Sequence, residues 1–302
     1  MTAFTPIDLS KLAPPEVIET VAYEELFDAM KAEAIRLLPS LEVALSLDSE
    51  PVTQLLRVCA YFRMLDRLEF NDGARANMLA FATGSDLDHL AALWGVQRLV
   101  IQEADATVEP PIAQIFESDT DLRSRVQLSL EGRTTAGPRG SYLYWARSAS
   151  GDVLDASVDS PAPGEVVVTI LSREGDGSPS DALMNAVEAV LSDDDVRPLT
   201  DRVTVEPAQI VPYQVEATLT LYDGPDASAV EQAADAALAL YIEAQHQLGH
   251  DVTRAGLTAA LFQEGVQNVL LTQPATDVVI APNQAPHCTS DAVAISIGGR
   301  DV

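Results

Sequence analysis

From Glu16 to Leu38 apolar residues return every three or four positions, as Val17, Val21, Leu26, Phe27, Met30, Ala34, Leu37 and Leu38, and Pro39 ends the run. That spacing predicts a long amphipathic helix. A second helix is predicted over 50–70, with Pro51 suited to its first turn and Leu55, Leu56, Val58, Cys59, Phe62, Leu65 and Leu68 on a broad apolar face. A third helical stretch is expected from Asn71 to Phe81, and a short one after Ser85 that Gly95 closes. Ser118 is a good N-cap for a helix over 119–130 ending at Gly132, and Ser141 is the expected cap of the next.

After Gly151 the period changes to alternation. VLDASVDS and EVVVTILS read as strands around the turn PAPG, DALMNAVEAVLS as a helix, and RVTVEPAQI as a further strand. The order returns more loosely: YQVEATLTLY is a strand, 226–247 and 253–263 are helices, and VQNVLLT, DVVI and AVAISI are strands. The fold class is therefore α+β and multi-domain. A helical region over 1–105 and a helical connector over 106–151 precede two tandem α+β modules, 152–210 and 211–302.

Charge narrows the partners. The 302-residue chain carries 46 acids against 18 Lys and Arg, a net charge of -28, which repels nucleic acid phosphate and anionic membrane surfaces. No run of 18 apolar residues is present, and the early prolines break any signal-like segment. Lys occurs only at Lys11 and Lys31; the remaining cations are Arg, which binds carboxylates in two-pronged fashion. Neither nucleic acid nor membrane is expected as a partner.

Candidate chemistry is sparse. Glu117, Asp119 and Asp121 lack the glycine and terminal glutamate of a calcium loop. His246 and His250 have a metal-compatible spacing of four, but Gly249 interrupts the helix and no HExxH glutamate accompanies them. His89 and His287 imply no third ligand, Cys59 and Cys288 have no zinc spacing, and no GxSxG elbow occurs. No enzyme, metal or cofactor is expected. Arg123 and Arg125, two apart on a helix, face different sides and suggest two separate partners, nearby acids or a neighbouring subunit.

Several stretches taken in order carry a resemblance: IDLSKLAPPEVIE, ESDTDLRSRVQLSLEG, AGPRGSYLYWARSASG, VTILSREGDGSP, DVRPLTDRVTVEPAQIVPYQVEATLTLY, AQHQLGHDV and EGVQNVLL. Together they resemble the baseplate assembly protein J family of contractile-tailed bacteriophages and phage-tail-like bacteriocins. The resemblance implies a structural baseplate wedge protein, located in the virion tail and assembled in the host cytoplasm. It implies two copies joined to one smaller wedge protein through an N-terminal helical bundle. Neighbouring wedges, a hub and sheath-initiating tail proteins would be further partners. The C-terminal modules would link copies into a ring. The bundle would place Val17, Leu26, Phe27, Met30 and Leu37 at a protein interface, with Arg123 and Arg125 as further contacts. The readings from other classes are a cytoplasmic metal-dependent hydrolase and a transient protein-binding module.

Overall fold

A computed structural model describes residues 7–13, 15, 17, 19–134, 136–224 and 226–301. The architecture is α+β, and the chain divides into two compact units, one formed by 6–97 with 119–123 and the other by 98–118 with 124–302.

In the first unit, α1 (Tyr23–Leu37) begins later than its apolar pattern predicts. The expected start at Glu16 lies outside the described residues, and 19–22 is not helical. Val17, Thr20 and Val21 are β-branched and weak in helices, whereas Glu24 and Glu25 favour the positive end of a helix that starts at Tyr23. After the short α2 (Glu42–Leu45), α3 runs unbroken as Pro51–Ala76, with Pro at its first turn. The break expected near Phe70 is absent because Asn71, the next residue, is a tertiary anchor. Its side chain accepts from the Glu19 N–H at 3.1 Å and donates to the Glu19 carbonyl at 2.8 Å. A buried amide satisfied on both sides outweighs its weak helix propensity. α4 (Gly84–Leu93) starts one residue before Ser85, and its first N–H donates to the Asp119 carboxylate at 3.1 Å, so a remote acid does the capping expected of the serine.

The second unit opens with the short antiparallel pair β1 (Val100–Gln102) and β2 (Ile115–Phe116). α5 (Asp119–Gly132) ends at the glycine the sequence marks, for a second reason: a Cβ there would lie 2.1 Å from the Tyr144 ring. That ring and Trp145 belong to α6 (Arg139–Ala149), and the Trp145 indole donates to the Gly132 carbonyl at 3.1 Å. The cap of α6 is Pro138, which leaves Ser141 inside the helix and buried.

Helix α6 lies in the sequence-defined connector, yet its Tyr142 and Ala146 share a core with Val153, Val168, Ile170, Leu183 and Leu191. It covers a three-stranded sheet in the order β3 (Val153–Asp159), β4 (Glu165–Ser172), β5 (Arg202–Pro207). The first pair is antiparallel across the PAPG turn; the second is parallel and crosses over through α7 (Asp181–Leu191), capped by Ser180. The expected strand RVTVEPAQI is two strands, because Pro207 has no N–H to donate. Beyond it, β6 (Gln209–Pro212) leaves the sheet and pairs in parallel with β9 (Gln284–His287).

The C-terminal sheet has β7 (Val215–Tyr222) at its centre, antiparallel to β8 (Val266–Gln273) and parallel to β10 (Val293–Asp301). Val215, Ala217, Leu219 and Leu221 alternate inward onto α8 (Ala227–Gln245) and α9 (Arg254–Leu261). DVVI forms only an isolated bridge from Val278 to Val252. The Asp277 carboxylate accepts from the Arg254 N–H at 2.7 Å and Asp251 accepts from the Ile280 N–H at 2.7 Å, so side chains take the backbone groups a ladder would use. Leu171, Ala208, Leu248 and Ala285 bury one another where β6 and β9 join the two modules, and Asp155 of β3 accepts from the Leu248 N–H at 3.1 Å.

Candidate protein interface

Helix α3 has two opposed faces, and only one is used within its unit. Thr53, Ala60 and Asn71 fall on one side at near-integral turns and are buried. Phe27 of α1 packs beside them, with the Arg57 guanidinium 5.2 Å from its ring centroid and Tyr23 stacked at 6.4 Å. Arg57 also pairs with Asp48 at 2.8 Å, and Arg67 pairs with Glu19.

The opposite side carries Leu55, Val58, Phe62 and Leu65, spaced three, four and three residues apart and exposed by 64%, 51%, 59% and 38%. About three turns of the helix thus present a seam-like apolar stripe with heptad spacing to solvent. Tyr61 and Leu68 widen it, and Cys59 is exposed beside Val58. A stripe of this kind exceeds the scattered apolar residues normal on a surface.

The residues expected at an interface from the sequence separate into groups. Val17 and Leu37 are exposed, and Leu26 and Met30 are half-buried. Phe27 is buried against α3, inside the chain's own core. Arg125 has the nearby acid that the sequence allowed as its partner. It lies in the interior, donating from Nε and Nη2 to Glu117 at 3.0 and 2.6 Å and from Nη1 to Ser148 at 3.2 Å. Arg123 donates to the carbonyls of Leu79 at 2.7 Å and Ala82 at 2.8 Å, tying down the end of the segment after α3. The two arginines do face different directions, but both bind groups of this chain. The α3 stripe was legible as an apolar face; which side α1 leaves open was not.

The polar candidates also have local work. Glu117 accepts from Leu99 N–H at 2.7 Å as well as from Arg125, and Asp119 caps α4. His246 sits at the end of α8 with Nδ1 2.6 Å from the Pro286 carbonyl, and its ring lies 5.3 Å from that of His287, a neighbour the sequence did not suggest. Burial and the neighbouring His246 lower the pKa of His287, opposed by Asp176. Among the described residues no group of three or more His, Cys, Asp or Glu is arranged to hold a metal, and no helix is long and apolar enough to cross a membrane.

Three stretches match one family: the Baseplate J-like N-terminal domain over 48–105, the central domain over 134–207, and the C-terminal domain over 213–294. Baseplate protein J of Escherichia phage P2 is 44% identical over 300 residues, spanning 98% of this chain and 99% of that protein. The chain belongs to the Baseplate J-like family. It is a baseplate structural protein of the phage-tail type. A solved baseplate, that of the anti-feeding prophage, has a chain similar at a TM-score of 0.41 and 15% identity, with 64% of this chain and 49% of that chain covered. Within the Baseplate J-like chain described here, the N-terminal match contains α3 and its stripe, the central match begins before α6, and the C-terminal match spans β7 into β10.

Proposed function

We infer that this chain is a wedge component of a contractile tail baseplate, joined through the α3 stripe to a second copy of itself and to a smaller wedge protein. The observation that carries the reading is the stripe Leu55, Val58, Phe62 and Leu65, opposite the face that α3 uses within its own unit. Completing the burial of a large apolar side chain is worth about 1.5 to 3 kcal/mol from full exposure, so these half-exposed residues offer roughly 4 kcal/mol per helix. Two such helices give roughly 8 kcal/mol against an association cost of about 4 to 15 kcal/mol. A pair is marginal; a third helix from another protein makes the bundle stable. That arithmetic favours a mixed bundle over a simple homodimer.

In this reading Leu37 and Val17 lie at the margin of the bundle, and residues 211–302 carry contacts that link copies into the ring around the hub. The chain acts in the virion tail after assembly in the host cytoplasm, next to neighbouring wedges and sheath-initiating tail proteins. Its work is positional, without a catalytic step.

The test is co-expression with the smaller wedge protein and native mass measurement of the product. The expected product holds two copies of this chain per small protein, and a bismaleimide joins Cys59 of the two copies. The double variant Leu55→Asp and Phe62→Asp leaves the melting of the isolated chain within about 0.5 kcal/mol, since both positions are exposed there. It loses the complex, because charge in a dry seam costs several kcal/mol. Normal complex formation by that variant rejects the assignment.

A further inference from the structure

A groove of about 700 Å³ runs along one side of α8, between that helix, the β3 and β4 end of the central module and the segment from β9 to β10. Asp235, Ala239 and Glu243 line it at intervals of four residues and are exposed. Spacing of four keeps them in one row on the helix surface, with the two carboxylates about 12 Å apart along the axis at 1.5 Å per residue. Between them the methyl of Ala239 leaves a hollow. Leu238 and Ile242 on α8, with Leu154 and Val293, give it apolar sides; Arg173, whose Nε donates to the Gly151 carbonyl at 2.9 Å, and the His246 and His287 rings complete the lining. The row is therefore acid, apolar hollow, acid.

We propose that this groove takes an extended segment of another baseplate protein with the pattern basic, any, apolar, any, basic. In an extended chain residues i, i+2 and i+4 point the same way, and i to i+4 spans about 13 Å. The two outer side chains then reach Asp235 and Glu243 while the central one fills the hollow over Ala239. A net charge of -28 makes a basic partner segment the favourable choice, and it gives the encounter a long-range pull that salt weakens. That the partner belongs to the baseplate rests on the function inferred above. The chemistry of the groove does not, because it can be measured on the isolated chain.

The probe is the peptide Lys-Ser-Leu-Ser-Lys with blocked ends, compared with Glu-Ser-Leu-Ser-Glu, by saturation-transfer NMR on the full chain at low salt. The basic peptide binds at least about ten-fold more tightly, the scale set by two exposed charge pairs. Ala239→Trp fills the hollow but keeps every charge, so it separates the groove from general attraction to an acidic surface; it weakens the basic peptide about ten-fold. The pair Asp235→Lys and Glu243→Lys reverses the preference. Melting curves that match the parent show that these exposed substitutions leave the fold in place. Basic peptide binding that is untouched by both variants overturns the proposal. In assembled particles, a photo-cross-linker at Ser290 on the groove wall should label a stretch of another protein with that pattern; a label on an acidic stretch, or none, overturns the assignment of the occupant and leaves the wedge complex test above unaffected.

Discussion

Replacing Arg125 by alanine strands a carboxylate in the interior. The Glu117 and Arg125 side chains are 2% and 5% exposed, and their two hydrogen bonds are 3.0 and 2.6 Å long. With the guanidinium gone, Glu117 still accepts from the Leu99 N–H at 2.7 Å, a single neutral donor against a full charge. Removing one partner of a buried pair costs about 3 to 5 kcal/mol, a large part of the 5 to 15 kcal/mol that holds a typical protein folded. The surface pair Arg36 and Glu33 is just as short, at 2.6 Å, but its side chains are 67% and 54% exposed. Arg36→Ala should cost about 1 kcal/mol or less, so burial and not distance sets the difference. The assay is urea unfolding followed by Trp145 fluorescence in a Trp94→Phe background, which reports the unit containing the ion pair. With a slope of about 3 kcal/mol per molar, Arg125→Ala lowers the midpoint by about 1 M or more. The double variant Arg125→Leu with Glu117→Gln recovers most of the loss, because no bare charge remains inside. A single variant that loses less than about 1 kcal/mol, or a double variant as unstable as the single, refutes this reasoning.

Gly151→Ala places a Cβ 2.3 Å from the Val100 carbonyl oxygen, a backbone atom that cannot swing aside, and should cost about 1 to 3 kcal/mol in the same urea assay; an unchanged midpoint contradicts the close approach. His287 should make stability pH-dependent: its folded pKa lies below the ordinary 6.5 through burial first and His246 second, so its contribution is complete above 6.5 and is lost as pH falls through the folded value. His287→Gln should flatten the stability profile in that range, and an equal acid slope in the variant would rule the histidine out as its source.

The sequence by itself determined the kinds of element and most of their positions, because one-sided burial writes its period into the chain. The alternation of Val215, Ala217, Leu219 and Leu221 predicts β7, and the apolar spacing after Pro51 predicts α3. It also carried the family, through stretches such as ESDTD and AGPRGSYLYWARSAS; in the second, Gly140 lies against Glu131 and Tyr144 against Gly132, where α6 meets α5. Tertiary structure decided where those elements stop and which side of each is free. α3 passes Asn71 because the Glu19 backbone, 52 residues away in sequence, satisfies the amide. β9 has no alternation and contains Pro286, so only the β6 strand beside it makes it a strand. Of the two kinds of partner the sequence allowed for Arg125, packing supplied the nearby acid Glu117, and it set the Phe27 ring beside the Arg57 guanidinium. Periodicity records that a face is apolar. Whether that face meets its own chain or another depends on neighbours brought together from far along the sequence, and that information lies in the packing alone.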